Sequence, residues 1–582
     1  MKPTPSAWPV NWRRIAIFVL FTLVTAQGAV AQSSRRPEMT PAQAVIAPNG
    51  MVVSQEARAT AVGVDILRKG GNAADAAVAV GFAMAVTYPR AGNIGGGGFM
   101  VIRRANGESA AIDYRETAPQ GIRRDSFLDT NGNADPQKSQ DSALAVGVPG
   151  TVAGLALAHE KFGSGKLSLA DLLAPAIRLA RDGIPVEDDT AASLPGAQTR
   201  LLRWAASKKI FFKPDGTVLG ADDRLVQTDL ADTLERIARG GARGFYEGPT
   251  AEKLAAALQA EGGVMTRDDL KNYQAVLRTP VRGTYRGYEI ISMPPPSSGG
   301  VHLIEMLNIL EGYDFPAIRN DIGAADHLMI EAMKRAYADR AIFLGDPDMV
   351  KVPVAGLTSK SYAAALRAQI DPGRARPSTD IRPGEPPPRE GDNTTHFSVI
   401  DREGNAVSNT YTLNLSYGVG MVAEGTGILL NNELDDFAAK PMAPNFFGLV
   451  GTDANAPGPG KRPLSSMTPT IVVKDGKPFL ITGSPGGSRI ITTVLQIITN
   501  VIDRGMTLAE AISAPRLHHQ WLPDEVVAEP ATPPDIITAL QARGHQVRIG
   551  RNATSANSIA VTAGGFAGVP DTRTRGALAA GY

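Results

Sequence analysis

Apolar residues recur along this chain with two different periods. Met51-Val52-Val53-Ser54 is a short apolar run that predicts a strand. Asn72 to Val86 is rich in Ala and Val, with Asn72 placed to cap the segment and Asp75 three residues on. That pattern predicts a helix of small side chains suited to close packing on a sheet. Helical spacing returns at 151–161, 169–182, 229–239, 250–261 and 324–342. In the last of these, Glu331 and Arg335 stand four apart and read as a surface pair, while Met333 and Tyr337 read as core contacts. No repeat of fixed period interrupts the series.

Between 371 and 392 the pattern breaks. The segment holds six prolines and almost no apolar residue, so it is expected to be extended or disordered and to bury no core. Alternation of period two follows at once. Thr394–Ile400 and Ala406–Asn414 read as two strands joined by a turn containing Gly404. A loop of three or five residues centres the pairing on residue 403. Ile400 then faces Ala406, and Thr394 faces Thr412 on the same side of the sheet.

The chain has 582 residues and no cysteine, which excludes disulfides, thiolate metal sites and a cysteine nucleophile. The length suits several domains or one large α/β unit. Residues 1–31 carry Lys2, Arg13 and Arg14, no acid, an apolar run of about ten residues and the small-residue end Ala29-Val30-Ala31. A membrane span needs about twenty apolar residues, so this reads as a secretory signal peptide and predicts a periplasmic or secreted protein. Without it, 56 basic residues face 58 acidic ones, and no electrostatic footprint for nucleic acid remains.

Three features could carry chemistry. Gly95 to Gly98 lacks the Lys-Ser/Thr of a phosphate loop and reads as close backbone approach. Gly486-Gly487 could offer backbone N–H groups to an anion or be a plain turn. Asn393-Thr394-Thr395, after the Pro-rich segment, is either a loop entering a sheet or a cleavage site that frees Thr394 as a new N-terminus. His518-His519 has no His-Glu-x-x-His context and reads as structural.

The last third of the chain resembles the small subunit of the γ-glutamyltranspeptidases. The matching pieces are Thr394-Thr395-His396, Tyr411 to Asn414, Gly427 to Phe437, Lys461 to Met467 and Gly483 to Arg489. Upstream, Gly70 to Ala76, Asp113 to Glu116, Pro294 to Gly300 and Ala336 to Arg340 extend the resemblance over nearly the whole mature chain. It implies a four-layer αββα N-terminal-nucleophile hydrolase fold. It also implies a precursor that cuts itself between Asn393 and Thr394 into a large subunit, 32–393, and a small catalytic subunit, 394–582, which stay together as a heterodimer.

The resemblance further implies Thr394 as nucleophile, Thr412 as its orienting partner and Gly486 and Gly487 as the oxyanion hole. Arg115, Ser465 and Ser466 would hold the α-carboxylate of a γ-glutamyl donor such as glutathione, and Glu433, Asp436 and Asn414 its α-ammonium. Water or an amino acid or peptide acceptor would take the glutamyl group, and the hydroxyl-and-amine chemistry needs no metal or cofactor. Residues 441–451 resemble the lid loop of typical bacterial members, which carry tyrosine where this chain has Phe447. Loss of that hydroxyl would remove a bond to Asn414 and alter the balance of hydrolysis and transfer. Two rival expectations are a glutaryl-type β-lactam acylase of the same fold and an unprocessed periplasmic binding protein for γ-glutamyl peptides.

Overall fold

A computed structural model of the chain describes residues 41–382, 394–446, 448–449, 452–550 and 554–582. The signal segment 1–31, the stretch 383–392, Asn393 and Phe447 lie outside the described residues.

Two seven-stranded antiparallel sheets organise the chain. One runs, in spatial order, through Leu578–Gly581, Gly50–Ser54, Thr395–Asp401, Ala406–Thr412, Gly97–Arg103, Ser109–Tyr114 and Val276–Arg278. The other runs through Val45–Ala47, Gly565–Val569, Ser558–Thr562, Lys477–Thr482, Thr470–Lys474, Tyr288–Ser292 and Val281–Tyr285.

Alternation along the first sheet sorts its side chains into two cores. Val52, Met100, Ile102, Phe397 and Val399 pack on helices Ala57–Arg68 and Ala73–Thr87. Met51, Val53, Phe99, Val101 and Ile400 face the other way. They join Ile291, Ile471, Ile481 and the helices Gly299–Leu310, Ala324–Phe343 and Ser488–Ile502 in a second core. A sheet buried on both faces must have an apolar partner on each, so the layers stack helix, sheet, sheet, helix.

The helix of small residues spans Ala73–Thr87 and is buried along its whole length. Asn72 and Asp75 cap it reciprocally, as their spacing predicts. Gly95 and Gly96 are places of close backbone approach. A Cβ would lie 2.1 Å from the Leu429 carbonyl oxygen at Gly95 and 2.0 Å from that of Thr412 at Gly96. The expected register also holds: Ile400 pairs with Ala406 and Thr395 with Tyr411. Carried one residue further, that register sets Thr394 opposite Thr412.

Two expectations need correction. Glu331 and Arg335 do pair, at 2.8 Å, but both are buried rather than on a helix surface. Their helix is covered by later chain on the side that an isolated helix would leave wet. The stretch from 371 onward also contributes to a core. Ile381 is buried in it, and the Ser378 hydroxyl donates to Asp524 at 2.6 Å. A single helical turn, Ser378–Asp380, and bonds from Lys334 to the Arg376 carbonyl and from Trp521 to the Ser378 carbonyl, both at 2.8 Å, help to dock it.

Candidate active site

Thr394 sits at the head of a central strand and is buried. Across the ladder, the Thr412 hydroxyl accepts the backbone N–H of Asn414 at 2.8 Å. Asn414 has φ 70°, a left-handed conformation that asparagine tolerates better than most residues. Its amide donates to the Asn432 carbonyl at 3.0 Å, which ties it to the turn bearing Glu433. Two residues beyond Thr394, His396 points between the sheets. It contacts the hydroxyls of Thr410 at 2.9 Å and Ser398 at 3.1 Å. Burial lowers its pKa to about 3, so it is neutral there.

The glycine loop reaches the same place from the other sheet. A Cβ on Gly483 would lie 2.5 Å from the His396 ring. Gly486 and Gly487 follow with φ 128° and 56°, conformations that L side chains resist, and lead into helix Ser488–Ile502. Backbone N–H groups at such a turn and helix start are suited to a developing oxyanion.

The charged half lies one strand away. Gly97 pairs with Thr412, and a Cβ there would lie 2.6 Å from Glu116 Oε2. Beside Glu116, Arg115 is fully buried and ion-paired with both Glu433 and Asp436. Those two acids occupy one short helical turn, Glu433–Asp436. The Arg115 guanidinium also donates to the Pro463 carbonyl at 3.0 Å and that of Leu464 at 3.3 Å, the residues just before Ser465 and Ser466. Taken alone in the sequence, Arg115 and this acidic run read equally well as solvated surface. All three charged groups are instead buried and in contact.

Asp435, between the two acids, accepts from the Ser139 hydroxyl at 2.6 Å and from the Phe446 N–H at 3.3 Å. It therefore anchors the residue next to Phe447. Burial raises its pKa to about 6.

Glu116 and Arg340 have no role in the sequence reading, although both stand in motifs that carry the resemblance. The Glu116 carboxylate oxygens have no hydrogen-bond partner in another residue among the described ones, and Arg115 is its nearest cation at 3.9 Å. Burial, offset in part by Arg115, pushes its pKa up to about 8. The folded chain thus holds one proton more than the unfolded chain between about pH 4.5 and 8. Stability must fall as pH rises through that window and level off above it. Glu116→Gln removes this slope. Melting temperatures from pH 5 to 9 should show the variant gaining on the wild type as pH rises, and a gap independent of pH would refute the protonated state.

Among the described residues, His327, Glu331 and His545 form a group whose potential ligand atoms lie within 4.8 Å of one another. It shares no residue with the site above. The two imidazoles are hydrogen-bonded at 2.8 Å, and the Glu331 carboxylate is engaged by Lys334 at 3.0 Å and Arg335 at 2.8 Å. Two cations already occupy the acid that a metal would need. His518 bonds Thr492 and Gln520, and His519 bonds Asp524.

Two antiparallel sheets stacked between helices, with a threonine heading a central strand, define an N-terminal-nucleophile hydrolase. Residues 59–581 match the Gamma-glutamyltranspeptidase family, and the chain belongs to it. It is 51% identical to the glutathione hydrolase proenzyme of Escherichia coli (strain K12), over 99% of this chain and 100% of that one. The gamma-glutamyltranspeptidase of Helicobacter pylori is 47% identical with a TM-score of 0.55, over 56% of this chain and 93% of that chain. The cephalosporin acylase of Bacillus halodurans is 29% identical with a TM-score of 0.83, over 95% of this chain and 98% of that chain.

Proposed function

We propose that this protein is a self-processing γ-glutamyl hydrolase and transferase acting on glutathione and related amides. The observation that carries the reading is the buried cluster of Arg115, Glu433 and Asp436, one strand from the Thr394–Thr412 pair. A γ-glutamyl head carries one charge of each sign. Its carboxylate meets Arg115, Ser465 and Ser466, and its ammonium meets Glu433, Asp436 and Asn414. Each charge added is opposed by one in place, which offsets the cost of desolvating it.

Maturation begins when the Thr394 hydroxyl attacks the Asn393 carbonyl. The C–N bond breaks, an ester forms, and the Thr394 nitrogen becomes an amine. Water then cleaves the ester, leaving an Asn393 carboxylate and a free threonine N-terminus. The proenzyme form of the Escherichia coli relative supports this step. The new α-amine, with an ordinary pKa of about 7.7–8.0, can take the proton of its own hydroxyl near neutral pH.

In turnover, Thr394 Oγ attacks the γ-carbonyl while Thr412 orients it. The N–H groups of Gly486 and Gly487 stabilise the oxyanion. The leaving amine departs with the proton, and a glutamyl ester remains on Thr394. Water releases glutamate from it; an acceptor amine instead forms a new γ-glutamyl amide. Phenylalanine at 447 lacks the tyrosine hydroxyl of typical bacterial members, which shifts the division between these two fates. No helix among the described residues is long and apolar enough to cross a membrane, and the segment 1–31 supports export to the periplasm or medium.

The acylase reading is favoured by the Bacillus halodurans neighbour, and the two acids weigh against it, because a glutaryl group has no ammonium. The test compares γ-glutamyl and glutaryl p-nitroanilides. Turnover should favour the γ-glutamyl compound by at least about a hundredfold, the scale for leaving buried acids without their cation. Equal turnover would move the assignment to an acylase, and tight binding by one uncut chain without turnover would move it to a binding protein.

A further inference from the structure

Arg340 lies on helix Ala324–Phe343 and is fully buried. Its guanidinium forks between two hydroxyls, with Nε donating to Ser298 Oγ and Nη2 to Ser466 Oγ, both at 2.7 Å. Ser298 in turn donates its hydroxyl to the Ser465 carbonyl at 2.9 Å and its N–H to the same oxygen at 2.6 Å. The Ser465 N–H closes the loop on the Pro296 carbonyl at 2.7 Å. Arg340 and the turn 296–298 therefore hold Ser465 and Ser466 from behind.

Proton bookkeeping then assigns a direction. A serine hydroxyl has one proton to donate and lone pairs to accept with. Ser466 Oγ accepts from Arg340, and Ser465 Oγ accepts the Met467 N–H at 3.1 Å. Each hydroxyl thus keeps its own proton to donate, and the bond from a guanidinium polarises the Ser466 O–H further. Charge counting agrees. Glu433 and Asp436 contribute two negative charges to the site, and Arg115 alone balances one of them. Arg340 is the second cation whose field acts on Asp436.

We propose that Arg340 is a positioning residue for the α-carboxylate half of the donor. It fixes the Ser466 hydroxyl as a donor and makes the empty site neutral, so that a zwitterion binds without net charge transfer. This rests on the γ-glutamyl reading above.

The test uses two substrates, γ-glutamyl p-nitroanilide and 4-aminobutyryl p-nitroanilide, which lacks only the α-carboxylate. Processed wild type should prefer the first. In Arg340→Gln, KM for the γ-glutamyl anilide should rise by about tenfold or more, the scale of one charge-assisted hydrogen bond, with kcat within a few-fold. The value of kcat/KM for the 4-aminobutyryl anilide should hold or rise, because that compound has no carboxylate to lose a donor and its ammonium meets a site left more negative. Arg340→Lys should restore part of the preference through its charge. Ser298→Ala, which frees one arm of the fork, should move the preference the same way by less, and it decides the matter if Arg340→Gln does not fold or process. Equal losses on both substrates in the variants would make Arg340 merely structural and overturn the proposal. A wild type without preference would instead overturn the γ-glutamyl reading itself.

Discussion

Thr394→Ala should run as one uncut chain on a denaturing gel and release no nitroaniline from a γ-glutamyl anilide. The expected fall in kcat is about 10⁶-fold, the scale seen when a catalytic nucleophile is removed from a hydrolase. One hydroxyl is asked to do two jobs, cutting the precursor and attacking the substrate, so its loss removes both at once. The side chain is buried at a strand head, and the Thr395–Tyr411 ladder beside it is made by backbone groups. Alanine should leave that ladder intact, and the circular dichroism spectrum should match that of the wild type. Thr394→Ser should still cut, because the hydroxyl survives. An uncut Thr394→Ala chain with wild-type turnover would remove Thr394 from the mechanism altogether.

Arg115→Gln should have the next largest effect. Its guanidinium holds Glu433 and Asp436, and all three are buried. Removing one partner of a buried ion cluster costs about 3–5 kcal/mol, because the remaining charges have no counterion and little water. Two readouts should respond. The melting temperature should fall, and kcat/KM for the γ-glutamyl anilide should drop by about 10²–10³ as the carboxylate loses its fork. Burial already raises the pKa of Asp436, and Arg115 opposes that rise. Without Arg115, Asp436 should hold its proton to higher pH, so the residual activity should shift toward alkaline pH. A variant with wild-type KM and melting temperature would show that the cluster serves neither the substrate nor the fold.

The parts of this molecule that could be read from the sequence are those set by local rules. Asn72 and Asp75 cap a helix by their spacing, and the hairpin register from Thr395–Tyr411 to Ile400–Ala406 follows from loop length and the period of two. The surroundings of single charges could not be read that way. Glu331 and Arg335 fit a helix surface equally well by periodicity, and only the later chain packed over them makes them interior. The same holds for Arg115, where burial comes from residues more than 300 positions away, Glu433 and Asp436. Arg340 reaches the site through Ser466 and Ser298, a contact between three distant segments that no window of sequence contains. Motifs carried across from the family supplied the catalytic list. They could not say that Arg115 and the acids Glu433 and Asp436 meet as a buried ion cluster.

The order of strands around Thr394 bears on what a cut before it can do. Gly50–Ser54, from the first half of the chain, lies between Thr395–Asp401 and Leu578–Gly581 from the second half, and Ala406–Thr412 is zipped to Gly97–Arg103. A cut at residue 393 would therefore leave two polypeptides woven through one sheet. Separation and unfolding become the same event. A new amino terminus made by such a cut would lie within an already folded sheet, and maturation would change covalent connectivity without taking the particle apart.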